Sequence, residues 1–368
     1  AKRVLAIFSA IRFCRRKHGA QAIGVTLVRH CRDIDDVLAA LLVARWADLT
    51  STDGSVPLDI APAFETAEEL RRAPAMMQAL LEDAFYSQNL KARGSKQTVM
   101  LSSSEGSSEG GVAASRWGMK KAHDELDKIF SQAGINYTLF HGRGSVSGRG
   151  GVSDGIACGH LRTTEHGDAV NERFGVRGIA FRTLEKAFSA VAVATADLES
   201  DGADDSTWAA AMNIVASAGQ DSFTQIAGNR EAFNDYFRLA TPVDVIESMR
   251  QHMHYDSIAG TPEQNTPWAL AWAQSRFLLP SWFGFGTGIE QAIAEHGEIA
   301  LRDMIEHWPF FRRLINDVET ALAITDTSIA EHYSLLAGEQ LHDTFFPQVA
   351  AEFDRSVAGI LALRESRV

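Results

Sequence analysis

Short apolar runs alternate with helix-like stretches over the first half of this chain, and that alternation constrains its fold more than any other feature. Residues 22–28 (Ala-Ile-Gly-Val-Thr-Leu-Val) read as a buried strand. Residues 33–48 follow as a helix, opened by acidic Asp33-Ile-Asp-Asp36 and rich in Ala and Leu. Residues 58–64 are a second strand before a helix near 66–91, and residues 97–101 a third before a helix near 112–133. Residues 137–140 make a fourth strand, with further candidates at 161–165 and 178–182. Strand–helix order of this kind implies a parallel sheet or barrel, because parallel neighbours need a crossover connection. Residues 1–18 read as an amphipathic helix, and from Ala187 onward nearly everything reads as helix except a loop near 239–267. No internal repeat is evident. The Ser/Gly-rich segment 102–111 reads either as a flexible linker or as an active-site loop between a strand and a helix.

The segment richest in chemistry is Tyr137-Thr-Leu-Phe-His-Gly-Arg-Gly-Ser-Val-Ser-Gly-Arg-Gly-Gly151. An apolar strand runs into a glycine-rich loop, where the backbone can take positive φ and come close to a ligand. Arg143 and Arg149 fit a carboxylate or phosphate in bidentate fashion. His141 sits where the strand ends, the place for chemistry in a parallel barrel. The spacing from Gly142 is G-x-G-x-x-x-G, one residue too long for a dinucleotide fingerprint. The loop suits a small anionic substrate.

Composition narrows the partners. The net charge is -12, from 35 basic and 47 acidic residues, without a long basic run, which argues against nucleic acid. No apolar run is long enough to span a bilayer, and no secretory signal is evident. Cys14, Cys31 and Cys158 show no metal or redox spacing and fit reduced thiols of the cytoplasm. The chain opens on Ala1 directly in a helical pattern, so residues preceding it are expected.

Several segments together resemble the C-terminal half of phosphoenolpyruvate carboxylase. They are Phe64-Glu65-Thr66, Gln97-Thr-Val-Met-Leu-Ser-Ser-Ser-Glu105, and Phe140-His141-Gly-Arg143-Gly with Gly148-Arg149-Gly-Gly. Tyr236-Phe-Arg-Leu-Ala-Thr-Pro242 follows, then Pro267-Trp268, Ala271-Trp272 and Leu279-Pro-Ser-Trp-Phe-Gly-Phe-Gly286. Trp308-Pro-Phe-Phe311 and Ala330-Glu-His-Tyr333 are smaller matches, so the similarity runs from about residue 22 to about 340. The resemblance implies a mixed, mainly α fold, with part of a parallel α/β (TIM-like) barrel surrounded by many helices. On that expectation, residues 1–185 hold the strand–helix units and residues 186–368 pack on them as a helical region of one structural unit. It also implies a divalent metal, Mg or Mn, on Glu65 and Glu105, with His141, Arg143 and Arg149 in the substrate loop.

The departures from the family bear on function as much as the match. The family's second ligand is aspartate where this chain has Glu105, and a lysine three residues further on is Ser108. The family's mobile basic loop becomes Glu247-Ser-Met-Arg250-Gln-His-Met-His254-Tyr-Asp256, in which Arg250 keeps the key arginine. A further phosphate-binding arginine becomes Gln264, and a lysine linked to feedback by dicarboxylates becomes Ile324. His252-Met-His254-Tyr-Asp256 reads as loop, its histidines giving partial, pH-dependent positive charge, rather than as a metal site. Nothing matches the family's Thr-Ala-His-Pro-Thr-Glu segment, so the expectation is further residues, a second chain completing the barrel, or a rebuilt barrel.

Three functions fit these residues. The first is a metal-dependent lyase making oxaloacetate and phosphate from phosphoenolpyruvate and bicarbonate. In it Arg143 binds the substrate anion, Arg149 and Arg250 stabilise the leaving phosphate, and His141 orients bicarbonate or moves a proton. The second, favoured by Gln264 and Ser108, is a phosphate-free decarboxylase acting on an oxaloacetate-like substrate. The third is a non-catalytic subunit completing a partner's barrel. A homo-oligomer is the expected assembly for the first two.

Overall fold

The computed structural model describes residues 2–102, 106–142, 156–157, 160–163, 174–196, 206–228, 230–252 and 268–364. Among them are fifteen α-helices and six strands. Helix α1 (Lys2–His18) leads through a short 3-10 turn into β1 (Thr26–Val28) and α2 (Ile34–Trp46). The expected strand at 22–28 is shorter because Ala20–Ala22 close that 3-10 turn. Next come β2 (Ile60–Phe64), α3 (Ala67–Glu82), α4 (Ala84–Ala92), β3 (Lys96–Ser102), α5 (Gly106–Gln132) and β4 (Asn136–Gly142). The single helix expected at 66–91 breaks at Asp83, whose extended backbone ends α3 while its carboxylate accepts from Tyr86 N at 2.7 Å to cap α4.

The sheet order is β1-β2-β3-β4-β6-β5, with β5 (Ile156–Ala157) and β6 (His160–Thr163) at one edge. The pairs from β1 through β6 are parallel, and only β5 runs antiparallel to β6. All five residues of β2 are buried, as are six of the seven in β3. Burial on both faces is what near-continuous apolar strands predict for a helix-covered parallel sheet.

The strand expected at 178–182 is a helix. These residues lie in α6 (Arg177–Ala196), where Phe181, Leu184 and Phe188 recur at helical spacing. A short apolar run does not distinguish strand from helix by periodicity, and here the longer 3–4 pattern prevails. The helical half continues with α7 (Ser206–Ile226), α8 (Arg230–Leu239), α9 (Val243–His252), α10 (Trp268–Gln274), α11 (Phe285–His296), α12 (Glu298–His307), α13 (Pro309–Ile324), α14 (Thr327–Leu335) and α15 (Glu339–Arg364). The loop expected from 239 therefore opens as helix α9, while residues 253–267 lie outside the described residues.

Two hydrophobic cores result among the described residues. One gathers β2, β3, β4 and helices α2 to α5, including Leu58, Phe64, Val99, Leu126 and Phe130. The other fills the helical half around Trp272, Trp282, Phe277, Phe285 and Phe311. Helix α5 belongs to both, with Val112, Ala113 and Trp117 in the helical core and Met119, Ala122, Leu126 and Phe130 under the sheet. A backbone break at Gly111 (φ 76°) precedes this shared stretch. A Cβ there would meet the Phe283 carbonyl oxygen at 3.0 Å. Close approach and positive φ both require glycine at this join.

Candidate active site

Parallel strands bring their C-terminal ends to one edge, so the residues just past β1, β2, β3 and β4 share a neighbourhood. The register is Val28 with Pro62, Phe64 with Leu101, and Leu101 with His141. Glu65 follows Phe64 directly, so it lies one residue beyond the level of His141. Two inter-strand intervals, about 10 Å, separate their strands. Glu105 follows β3 and Arg143 follows β4 by sequence, but Glu105, Arg143, Arg149 and Gln264 all lie outside the described residues. His141 is described as a backbone position of β4, and Arg250 as one of α9.

Local sequence fixes Glu65 at the strand–helix junction. Thr66-Ala-Glu-Glu69 forms a capping box for α3, with Glu69 N donating to Thr66 Oγ1 at 3.2 Å. In return Glu69 Oε2 accepts from Thr66 N at 3.2 Å and from Glu65 N at 2.8 Å. Glu65 is thus held through its own backbone beside the positive end of a 16-residue helix, and it is only 4% exposed.

Two residues not singled out in the sequence complete the described part of the site. Arg29 donates through Nε to Glu65 Oε2 at 2.8 Å and through Nη2 to Glu65 Oε1 at 3.0 Å, a side-on bidentate pair. His30 follows with a left-handed backbone (φ 52°), its Nε2 3.7 Å from Glu65 Oε2 and its Nδ1 3.3 Å from Glu69 Oε1. A non-glycine residue at positive φ is uncommon and clusters at functional sites. The signal for both was present in the sequence. Arg29-His30 follows an apolar strand directly, as His141 ends the apolar run 137–140.

Beside them Cys31 is 1% exposed, and burial, with Asp36 and Glu69 adding negative charge nearby, pushes its thiol up to about 12. It is therefore a packed thiol rather than a nucleophile. Iodoacetamide at pH 8 followed by peptide mass mapping is expected to leave Cys31 unmodified in the folded chain and to label it in urea. Labelling of Cys31 at the rate of a free thiol in the folded chain would contradict this placement.

Among the described residues no group of three or more His, Cys, Asp or Glu side chains is arranged to hold a metal ion. Glu65 itself fits one, being a fixed, buried carboxylate whose two oxygens already face a cation, the Arg29 guanidinium. No described helix is long and apolar enough to cross a membrane.

The family model described as phosphoenolpyruvate carboxylase matches residues 1–368. A phosphoenolpyruvate carboxylase of Xanthomonas euvesicatoria pv. vesicatoria (strain 85-10) is 37% identical over 379 residues, covering 99% of this chain and 42% of that protein. Its counterpart in Mycobacterium avium (strain 104) is 32% identical over 385 residues, covering 97% of this chain and 41% of that protein. The corresponding protein of Chromobacterium violaceum is 30% identical over 383 residues, covering 99% and 42%. The chain thus spans about two fifths of the length of the curated relatives it matches. A family match along its whole length shows that this chain belongs to the phosphoenolpyruvate carboxylase family.

Proposed function

We propose that this chain carries the enolate-handling site of a phosphoenolpyruvate carboxylase, joining bicarbonate carbon to the enolate of phosphoenolpyruvate and releasing phosphate. The observation that carries the reading is Glu65, a buried carboxylate at the end of β2 next to the level of His141, in a chain whose whole length matches the family. Glu65 and Glu105 would hold Mg or Mn. Such an ion, when bound, supplies Lewis-acid stabilisation of the enolate oxygen. Arg143 would bind the substrate carboxylate or phosphate, and Arg149 and Arg250 would neutralise the departing phosphate. His141 would orient bicarbonate or take up a proton at an imidazole nitrogen. Gln264 would offer only a neutral amide where the resemblance expects an arginine.

The five parallel strands would form an arc of an eight-stranded barrel, with residues 1–185 and 186–368 as one unit and the remaining strands supplied by further residues or a second chain. A homo-oligomer in the cytoplasm, working on small anions, belongs to the same proposal. Gln264 and Ser108 favour one second reading, a phosphate-free decarboxylase of an oxaloacetate-like acid.

The test is phosphate release from phosphoenolpyruvate with bicarbonate and Mn. Bicarbonate-dependent phosphate is the expected outcome. Pyruvate formed from oxaloacetate, without phosphate release from phosphoenolpyruvate, would replace the first reading with the second.

A further inference from the structure

We infer that Arg29 is a built-in counter-ion that competes with a divalent cation for Glu65 and so sets the affinity of the site for metal. The inference rests on the proposed metal-binding role of Glu65 and goes beyond it, because neither the sequence motifs nor the resemblance gave Arg29 a role.

Three observations carry it. First, the pair is side-on, with Nε on one carboxylate oxygen and Nη2 on the other, at 2.8 and 3.0 Å. The guanidinium occupies one lone pair on each oxygen, so a divalent ion on Glu65 either takes that lone pair or sits on a remaining one with two cations repelling across a single carboxylate, and in both cases Arg29 weakens its binding. Second, the pair is unequal. The Glu65 side chain is 6% exposed and tied by its backbone to the α3 cap, whereas that of Arg29 is 36% exposed. When the two separate, Arg29 is the partner with solvent to move into. Third, Glu65 stripped of every cation would be a nearly buried charge without compensation, a costly state for a folded chain. Arg29 supplies the compensation in the metal-free protein. His30, with Nε2 3.7 Å from the same carboxylate, is a secondary neighbour.

Arg29 is therefore a positioning residue acting through Glu65: it keeps the carboxylate aimed at the strand end and yields to the ion. Loading the site sets a metal against the guanidinium on one carboxylate. Arg29→Gln removes the competing charge and keeps a polar side chain. Arg29→Lys keeps the charge but loses the planar fork.

The experiment titrates Mn into the wild type, Arg29→Gln, Arg29→Lys and Glu65→Gln, following free Mn by its paramagnetic resonance signal. Thermal melts with and without Mn accompany it. Arg29→Gln is expected to bind Mn at least about tenfold more tightly, the low end of the scale for even one of the two charge-assisted hydrogen bonds removed from the competition. It should also melt lower than wild type without metal and recover when Mn is added. Arg29→Lys should fall between the two, and Glu65→Gln should bind weakly. General damage from the substitution would weaken binding, so a gain in affinity is specific to the competition. Unchanged or weaker Mn binding in Arg29→Gln, with binding lost in Glu65→Gln, would overturn the role of Arg29 and leave that of Glu65 standing. Equal Mn binding by wild type and Glu65→Gln would overturn the metal assignment of Glu65 and this inference with it.

Discussion

Phosphate release by an Arg143→Ala, Arg149→Ala double variant is expected to fall by about 10²–10⁴-fold in kcat/KM. That range follows from about 1.5–3 kcal/mol for each charge-assisted hydrogen bond that the substitutions remove, with about 1.4 kcal/mol per tenfold. Both arginines belong to the glycine-rich stretch after β4, whose last described residues, His141 and Gly142, pair with Leu101 and Ser102 of β3. The single variants separate the roles. Arg143→Ala, if it grips the ground-state anion, should raise KM more than it lowers kcat. Arg149→Ala, if it meets charge that develops on the leaving phosphate, should lower kcat with little change in KM. The two effects need not add, because in the proposed function both groups would act on one substrate. Steady-state kinetics on the four chains checks this, and a double variant within about threefold of wild type would remove both arginines from the reaction.

A Gly288→Val chain is expected to lose most of its stability. Gly288 lies in α11, which packs against α7 with almost no gap. A Cβ on Gly288 would stand 2.4 Å from the Val215 carbonyl oxygen, and one on Gly284 2.3 Å from that of Gly219. On the other face a Cβ on Gly286 would stand 2.5 Å from the Ser356 nitrogen. These obstacles are backbone atoms, which do not rotate aside, so the helices must separate. Overpacking costs about 1–3 kcal/mol when side chains can yield and more when they cannot. For a domain stable by about 5–15 kcal/mol, that is a large share. Gly118, in α5, is the control, since nothing lies within 4 Å of its would-be Cβ and its φ is ordinary. Gly118→Ala should leave the urea midpoint unchanged or raise it slightly. A Gly288→Val midpoint close to that of wild type would mean that α7 and α11 do not approach this closely in solution.

The close approach at these glycines also explains what some family-resembling residues do. Leu279-Pro-Ser-Trp-Phe-Gly-Phe-Gly286 holds buried Leu279, Trp282, Phe283 and Phe285, and Trp282 Nε1 donates to the Phe277 carbonyl at 2.8 Å. Gly284 has φ 83° and ends this turn into α11. The motif is scaffold that packs the helical half. Past Gly286, Thr287 donates through N and Oγ1 to the buried Glu352 carboxylate at 2.9 and 2.7 Å, and Glu352 also accepts from Arg355. Recognition of the family therefore leaned partly on residues whose work is packing, while the strand-end residues carry the proposed chemistry.

Sequence by itself determined the parallel strand–helix order, the helical second half and the chemical character of the strand ends. Those properties follow from local periodicity and from residue types read directly off the chain, such as Glu65 after β2 and Arg143 after β4. It did not determine the break at Asp83, where one side chain caps a new helix, or the helix at 178–182, because a short apolar run alone does not distinguish strand from helix. Only the tertiary structure showed that Arg29, 36 residues before Glu65, closes on its carboxylate with His30 beside it. That approach depends on the parallel register of β1 with β2, fixed by the packing of both strands, and no local spacing in the chain encodes it.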